Sequence, residues 1–158
     1  MRRKQQHRAE LLAASGEVNV HEAMEAVAAA AAKAGAGRLV FAKHIAKQAD
    51  GLRREELLAP AFQRHIFLFR RPLDVVASWT EVAAATLDET AFPQLVAMHA
   101  LLREAGRKVV LVDADELLAD PEGVLRQACA GLDLPFLPAM LRWPAGPKSF
   151  DGLWAPHW

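Results

Sequence analysis

A chain of 158 residues that is 53% hydrophobic, with seven Phe and four Trp, carries the apolar material for one domain with a real core. Nineteen Lys plus Arg balance nineteen Asp plus Glu, which excludes a global positive field of the kind that draws nucleic acid or an anionic membrane surface. The single cysteine, Cys129, excludes an internal disulfide framework and fits a reducing, cytoplasmic compartment, and no stretch is long enough to span a bilayer.

The basic start "MRRKQQHR" runs into "AELLAA" without the unbroken apolar run of a signal peptide, so it reads as a solvated helix face. "HEAMEAVAAAAAK", His21 to Lys33, is a strong helix former stopped by Gly35 and Gly37, which makes residues 1–37 a helical N-terminal segment. Residues 38–132 read as an α/β core within a single domain spanning 1–158. "RLVFAKH" (Arg38 to His44), "HIFLF" (His65 to Phe69) and "KVVLVDA" (Lys108 to Ala114) are short apolar runs expected as strands, with helical segments between them.

Those helices are expected over Pro72 to about Ala85, about Phe92 to Ala105, and Pro121 to about Gly131. The last has Asp120 as N-cap, Pro121 at the first helical position and Glu122 in the favourable first turn. Strands apolar on both faces and spaced by helices predict a three-layer αβα arrangement around a parallel sheet. Cys129 falls on the inner face of the last helix, as a small apolar residue would. Residues 133–158, dense in Pro, Gly and Trp, predict an irregular tail packed on the domain by its aromatics.

In an open α/β sheet, ligands lie beyond the carboxyl ends of the strands, where helix N-termini converge. Three clusters share that address: Lys43 and His44, then Arg70 and Arg71, then Asp113, Asp115 and Glu116. Arg70 and Arg71 stand before a helix that starts on Pro72, so a guanidinium fork would meet free backbone N–H groups, which suits a phosphate. Ser78 on that helix could donate to the same anion, although a helical serine more often faces solvent or bonds its own backbone.

The alternative for the arginines is an ion pair with the acidic cluster, and local spacing leaves the two readings level. His44, with an ordinary pKa near about 6.5, suits a general base, against the blander reading of a ring satisfied by a backbone carbonyl. Lys43 could stabilise a phosphate or sulfuryl oxygen, or merely snorkel from the strand end. The carboxylates of "DADE" read as turn caps or partners of Arg70 and Arg71 ahead of an Mg²⁺ site, and no histidine spacing or cysteine pair suggests zinc. No G-x-x-x-x-G-K-[ST] loop occurs, which also disfavours phosphoryl transfer from ATP and Mg²⁺.

Taken in order, the clusters resemble the sulfotransferase-like family of the P-loop NTPase fold. "FRRPLDVVAS" is similar to that family's 3′-phosphate motif, with Arg70 on the motif arginine and Ser78 on its serine. "FAKHIA" is similar to the segment that supplies the family's catalytic base, which falls on His44, and "VVLVDADELLADPEGVLRQACAGLDLPF" resembles its next strand, acidic turn and helix. The resemblance covers roughly Leu39 to Trp158 and implies sulfuryl transfer from 3′-phosphoadenosine 5′-phosphosulfate (PAPS) to a hydroxyl or amine of a small-molecule acceptor, with no metal required. It implies His44 as base, Lys43 as charge support, and Arg70 and Ser78 as holders of the 3′-phosphate, which leaves Arg71 as the structural arginine.

One departure stands out. The family's first strand and 5′-phosphosulfate loop have no counterpart in "MRRKQQHRAELLAASGEVNV", so the fold is expected to be N-terminally truncated, as a late start, a fragment or a chain without the donor site. Two functions follow: a PAPS-dependent sulfotransferase, or a non-catalytic remnant that binds a nucleotide or protein. An absent strand would also expose a sheet edge on which two copies can pair.

Overall fold

Helix α1 (Val20–Ala34) is the first element of the computed structural model, which describes residues 19–35, 37–49, 51–80 and 86–146. Its start is set by Asn19, whose side-chain oxygen accepts the His21 N–H at 3.0 Å. Glu22 in the first turn and Lys33 in the last complement the helix dipole, and Gly35 ends it at a φ of 78° that only glycine adopts freely. The expected helix is present, longer by one residue at each end. A short helix α2 (Arg54–Leu57) follows, tied back to α1 where His21 Nδ1 meets Glu56 Oε1 at 2.6 Å.

Strand β1 (Arg64–Phe69) and strand β2 (Lys108–Asp113) pair in parallel, from Arg64 opposite Lys108 to Phe69 opposite Asp113. The connection between them carries helix α3 (Pro72–Thr80) and helix α4 (Phe92–Glu104), as a parallel pairing demands. Gly106, at φ 69°, lets α4 turn straight into β2. After β2 come helix α5 (Ala114–Ala119) and helix α6 (Pro121–Gly131), with Asp120 capping α6 by accepting the Gly123 N–H at 2.9 Å. Of the helix expected over Pro72 to Ala85, residues 81–85 lie outside the described residues.

Helices lie against opposite faces of the pair, each covering half of it. His99 of α4 packs edge-on against Phe67 at 5.8 Å, on the face that also carries Leu111. On the other face α6 approaches Val110 so closely that a Cβ on Gly131 would stand 2.8 Å from a Val110 methyl. The buried core is accordingly Phe67, Leu102, Val112, Ala128, Cys129 and Leu132, joined by Met24 and Ala91. The uncovered halves show as exposed Ile66 and Leu68 on one face and Leu111 on the other. Arg107 reaches Gln63 and the Leu58 carbonyl, and Arg64 donates to the Leu132 carbonyl at 2.7 Å, so the strands are pinned at their amino ends.

Three expectations are corrected. The segment Arg38 to His44 is irregular and forms no strand: it joins neither β1 nor β2 in a ladder, and Leu39 and Phe41 are 63% and 80% exposed. An apolar run becomes a strand only where an edge receives its backbone groups. The acidic stretch after β2 is the helix α5, whose N-cap is Asp113, accepting the N–H groups of Asp115 at 2.7 Å and Glu116 at 3.3 Å. In the tail, Phe136 stacks under the Arg126 guanidinium at 4.1 Å, but Trp143 is 76% exposed; residues 147–158 lie outside the described residues.

Two groups make the fold acid-sensitive with the same sign. Hydrogen bonds from the Arg53 side chain and backbone, and from His21, hold the Glu56 carboxyl down at about 2. Burial pushes the half-buried His65 imidazole below its usual 6.5, only partly offset by its bond to the Phe62 carbonyl. Each folded-state value is below the unfolded one, so the unfolded chain binds the proton first and stability falls with pH. The melting temperature should fall in two stages, first below pH 6.5 for His65 and then below 4.5 for Glu56. Glu56→Gln should remove the lower stage and leave the upper one, as read by thermal unfolding from pH 8 to 3.

Candidate functional site

The carboxyl end of β1 delivers two arginines in succession, and the structure gives them different environments. Pro72, with no N–H to satisfy and φ already helical, starts α3 immediately after them. Asp74 and Val75 donate their backbone N–H groups to the Arg71 carbonyl at 3.0 and 3.1 Å. The Arg71 guanidinium then lies 2.9 Å from Asp74 and 3.0 Å from Asp115, stitching the end of β1 to α3 and α5. Arg70 is exposed and enters no ion pair or hydrogen bond among the described residues. The two readings that local spacing left level are thus divided between neighbours.

Ser78 lies one turn beyond Asp74 on the same face of α3, about 6 Å further along the axis. It is exposed, and its hydroxyl has no partner among the described residues. A carboxylate between Arg70 and Ser78 would repel any anion held there. Arg71 neutralises it, so Arg71 can serve an anion site without touching the anion.

Lys43 and His44 stand exposed on the irregular segment, and no hydrogen bond or ion pair joins them to Arg70 or Ser78 among the described residues. The segment is nevertheless fastened to α3. It runs into a 3-10 turn (Ala46–Ala49) that packs on α4 and on a second 3-10 turn (Asp88–Thr90). Lys47 pairs with Glu89 and lies over the Trp79 ring, 5.9 Å from its centroid, and Trp79 adjoins Ser78. The indole Nε1–H of Trp79 is buried without an acceptor among the described residues. Lys47, Glu89 and Trp79 had no signal in the sequence, because they meet only through tertiary packing.

The acidic cluster is committed elsewhere: Asp113 caps α5 and Asp115 answers Arg71. Among the described residues no three His, Cys, Asp or Glu side chains are grouped as metal ligands. A cleft of about 210 Å³ opens beside β2, between Val110 to Asp113 and Glu116, Val124, Gln127 and Ala128. None of Lys43, His44, Arg70 or Ser78 lines it.

Comparison with known proteins decides the family. A sequence profile of the sulfotransferase domain matches residues 8–158, nearly the whole chain. The chain belongs to the sulfotransferase domain family. The matched span of this sulfotransferase domain includes β1, the Arg70–Arg71 pair, α3 and the segment with Lys43 and His44.

Two Arabidopsis thaliana proteins are similar to this sulfotransferase domain. Branched-chain-amino-acid aminotransferase-like protein 2 is 39% identical over 118 residues, which cover 75% of this chain and 21% of the plant protein. Branched-chain-amino-acid aminotransferase-like protein 1 is 37% identical over 124 residues, 78% of this chain and 22% of its own. The chain spans about a fifth of the length of these curated relatives. No solved structure matches it significantly.

Proposed function

We propose that the domain takes part in sulfuryl transfer from PAPS to a hydroxyl or amine of a small-molecule acceptor. The observation that carries this reading is the division of labour at the end of β1: Arg71 is neutralised by two carboxylates, while Arg70 is exposed and has no partner among the described residues of this sulfotransferase domain. A guanidinium and a serine hydroxyl that are both exposed fit the 3′-phosphate of the donor, to which Arg70 would bind by charge-assisted hydrogen bonds and Ser78 by its O–H. His44 would take the acceptor's proton as its oxygen or nitrogen attacks sulfur, and the bond from sulfur to the 5′-phosphate oxygen would break to release adenosine 3′,5′-bisphosphate. Lys43 would offset charge on the transferring group. No step needs a metal, and the buried thiol of Cys129 fits a cytoplasmic setting.

The test is transfer of labelled sulfate from PAPS to a panel of hydroxyl and amine acceptors, with His44→Ala beside the wild type. Transfer should fall by about 10²-fold or more in the variant, in keeping with the loss of a general base. Equal rates in both proteins would remove His44 from the reaction.

A second reading has its own observation. Ile66, Leu68 and Leu111 leave both faces of the sheet half uncovered, which suits a module that covers them with another protein or a second copy. Nucleotide binding without transfer to any acceptor would favour it.

A further inference from the structure

We infer that Lys47 is a positioning residue that fixes the segment bearing Lys43 and His44 against α3, an inference that rests on the reading of His44 as the base. The segment from Leu39 to Ile45 has no ladder to hold it and is largely exposed. A base on such a segment takes its distance to the donor from the contacts that fasten the chain beside it. Lys47 is three residues on from His44, at most about 10 Å along extended chain.

Lys47 lies in the 3-10 turn Ala46–Ala49, and its ammonium faces two groups from other elements. One is the Glu89 carboxylate and the other is the face of Trp79. Trp79 adjoins Ser78, and Glu89 belongs to the turn leading into α4, so Lys47 links the base segment both to the helix carrying Ser78 and to the helix packed on Phe67. An exposed ion pair and a cation–π contact at this range contribute little to global stability. Their effect is on register: they select one placement of His44 relative to the helix with Arg70 before it and Ser78 on it, which is what group transfer requires. Neither contact touches Arg70 or Ser78, so donor binding should not depend on them.

Lys47→Ala and Lys47→Arg are compared with the wild type by hydrogen exchange, by affinity for adenosine 3′,5′-bisphosphate, and by kcat and KM for PAPS. In Lys47→Ala, exchange over the 3-10 turn, residues 46–49, should rise about tenfold and kcat should fall about tenfold or more, with KM for PAPS and the nucleotide affinity within about twofold of wild type. Lys47→Arg, which can both pair with Glu89 and stack on Trp79, should restore exchange and kcat to within about threefold. Unchanged exchange and kcat in Lys47→Ala overturn the inference, as does a parallel loss of nucleotide affinity, which would place Lys47 on the donor itself. If the wild type binds no nucleotide and transfers no sulfate, the donor-site reading fails separately. The positioning contact is then judged on exchange alone: a tenfold rise with arginine rescue supports it, and no rise overturns it.

Discussion

Adenosine 3′,5′-bisphosphate at about 100 times its dissociation constant should stabilise the domain by about 2.7 kcal/mol and raise its melting temperature by about 5–10 °C. Arg70→Ala should remove most of that shift. A hydrogen-bonded charge pair with phosphate contributes about 2–3 kcal/mol, so its loss weakens binding by about 10²-fold and returns the same ligand concentration to near half-saturation. Arg70→Lys should recover part of the shift, since an ammonium keeps the charge without the planar fork.

The neighbouring arginine supplies the control. Arg71→Ala breaks the contacts with Asp74 and Asp115 and should lower the melting temperature of the ligand-free protein, leaving two uncompensated carboxylates near Arg70. Its ligand shift should shrink but persist. Differential scanning of the three proteins with and without nucleotide reads all of this, and a full shift in Arg70→Ala would overturn the donor-site assignment.

That pair also marks how far the sequence could be read. "FRRPLDVVAS" announced a strand, a helix start on Pro72 and an anion-competent pair, all local features; α3 begins where expected, and β1 begins one residue earlier than expected, at Arg64. Which arginine is free was not local: it depends on Asp115, brought alongside by the pairing of Phe69 with Asp113. The helix from Pro121 to Gly131 was legible to the residue because its cap, proline and periodicity agree. The run Leu39 to Phe41 misled because its apolar composition specifies burial or pairing without specifying a partner, and β1 and β2 pair with each other. Helix α5 was hidden for a related reason: its cap, Asp113, is also the last residue of β2. Lys47 and its partners come from positions 47, 79 and 89, a separation that no short pattern spans.

Leu102→Ala should destabilise the domain by about 3 kcal/mol and lower its melting temperature by about 6–12 °C. Leu102 is 0% exposed, and the core around it is small, so a cavity there has little neighbouring mass with which to collapse. The effect reaches the site through geometry, because α4 packs on β2, on the His44-bearing connection through the Ala46–Ala49 turn, and on Phe67 of β1 through His99. Leu73→Ala on α3 is the matched control: its side chain is 83% exposed, and the change should move the melting temperature by less than about 2 °C. The folded fraction of Leu102→Ala at low temperature should still bind nucleotide with wild-type affinity, since Arg70 and Ser78 sit on β1's end and α3. Loss of affinity in the folded state would mean that α4 shapes the proposed phosphate site directly. Retained affinity with lowered kcat would place its influence on the histidine segment, where Lys47 and Glu89 already connect the two.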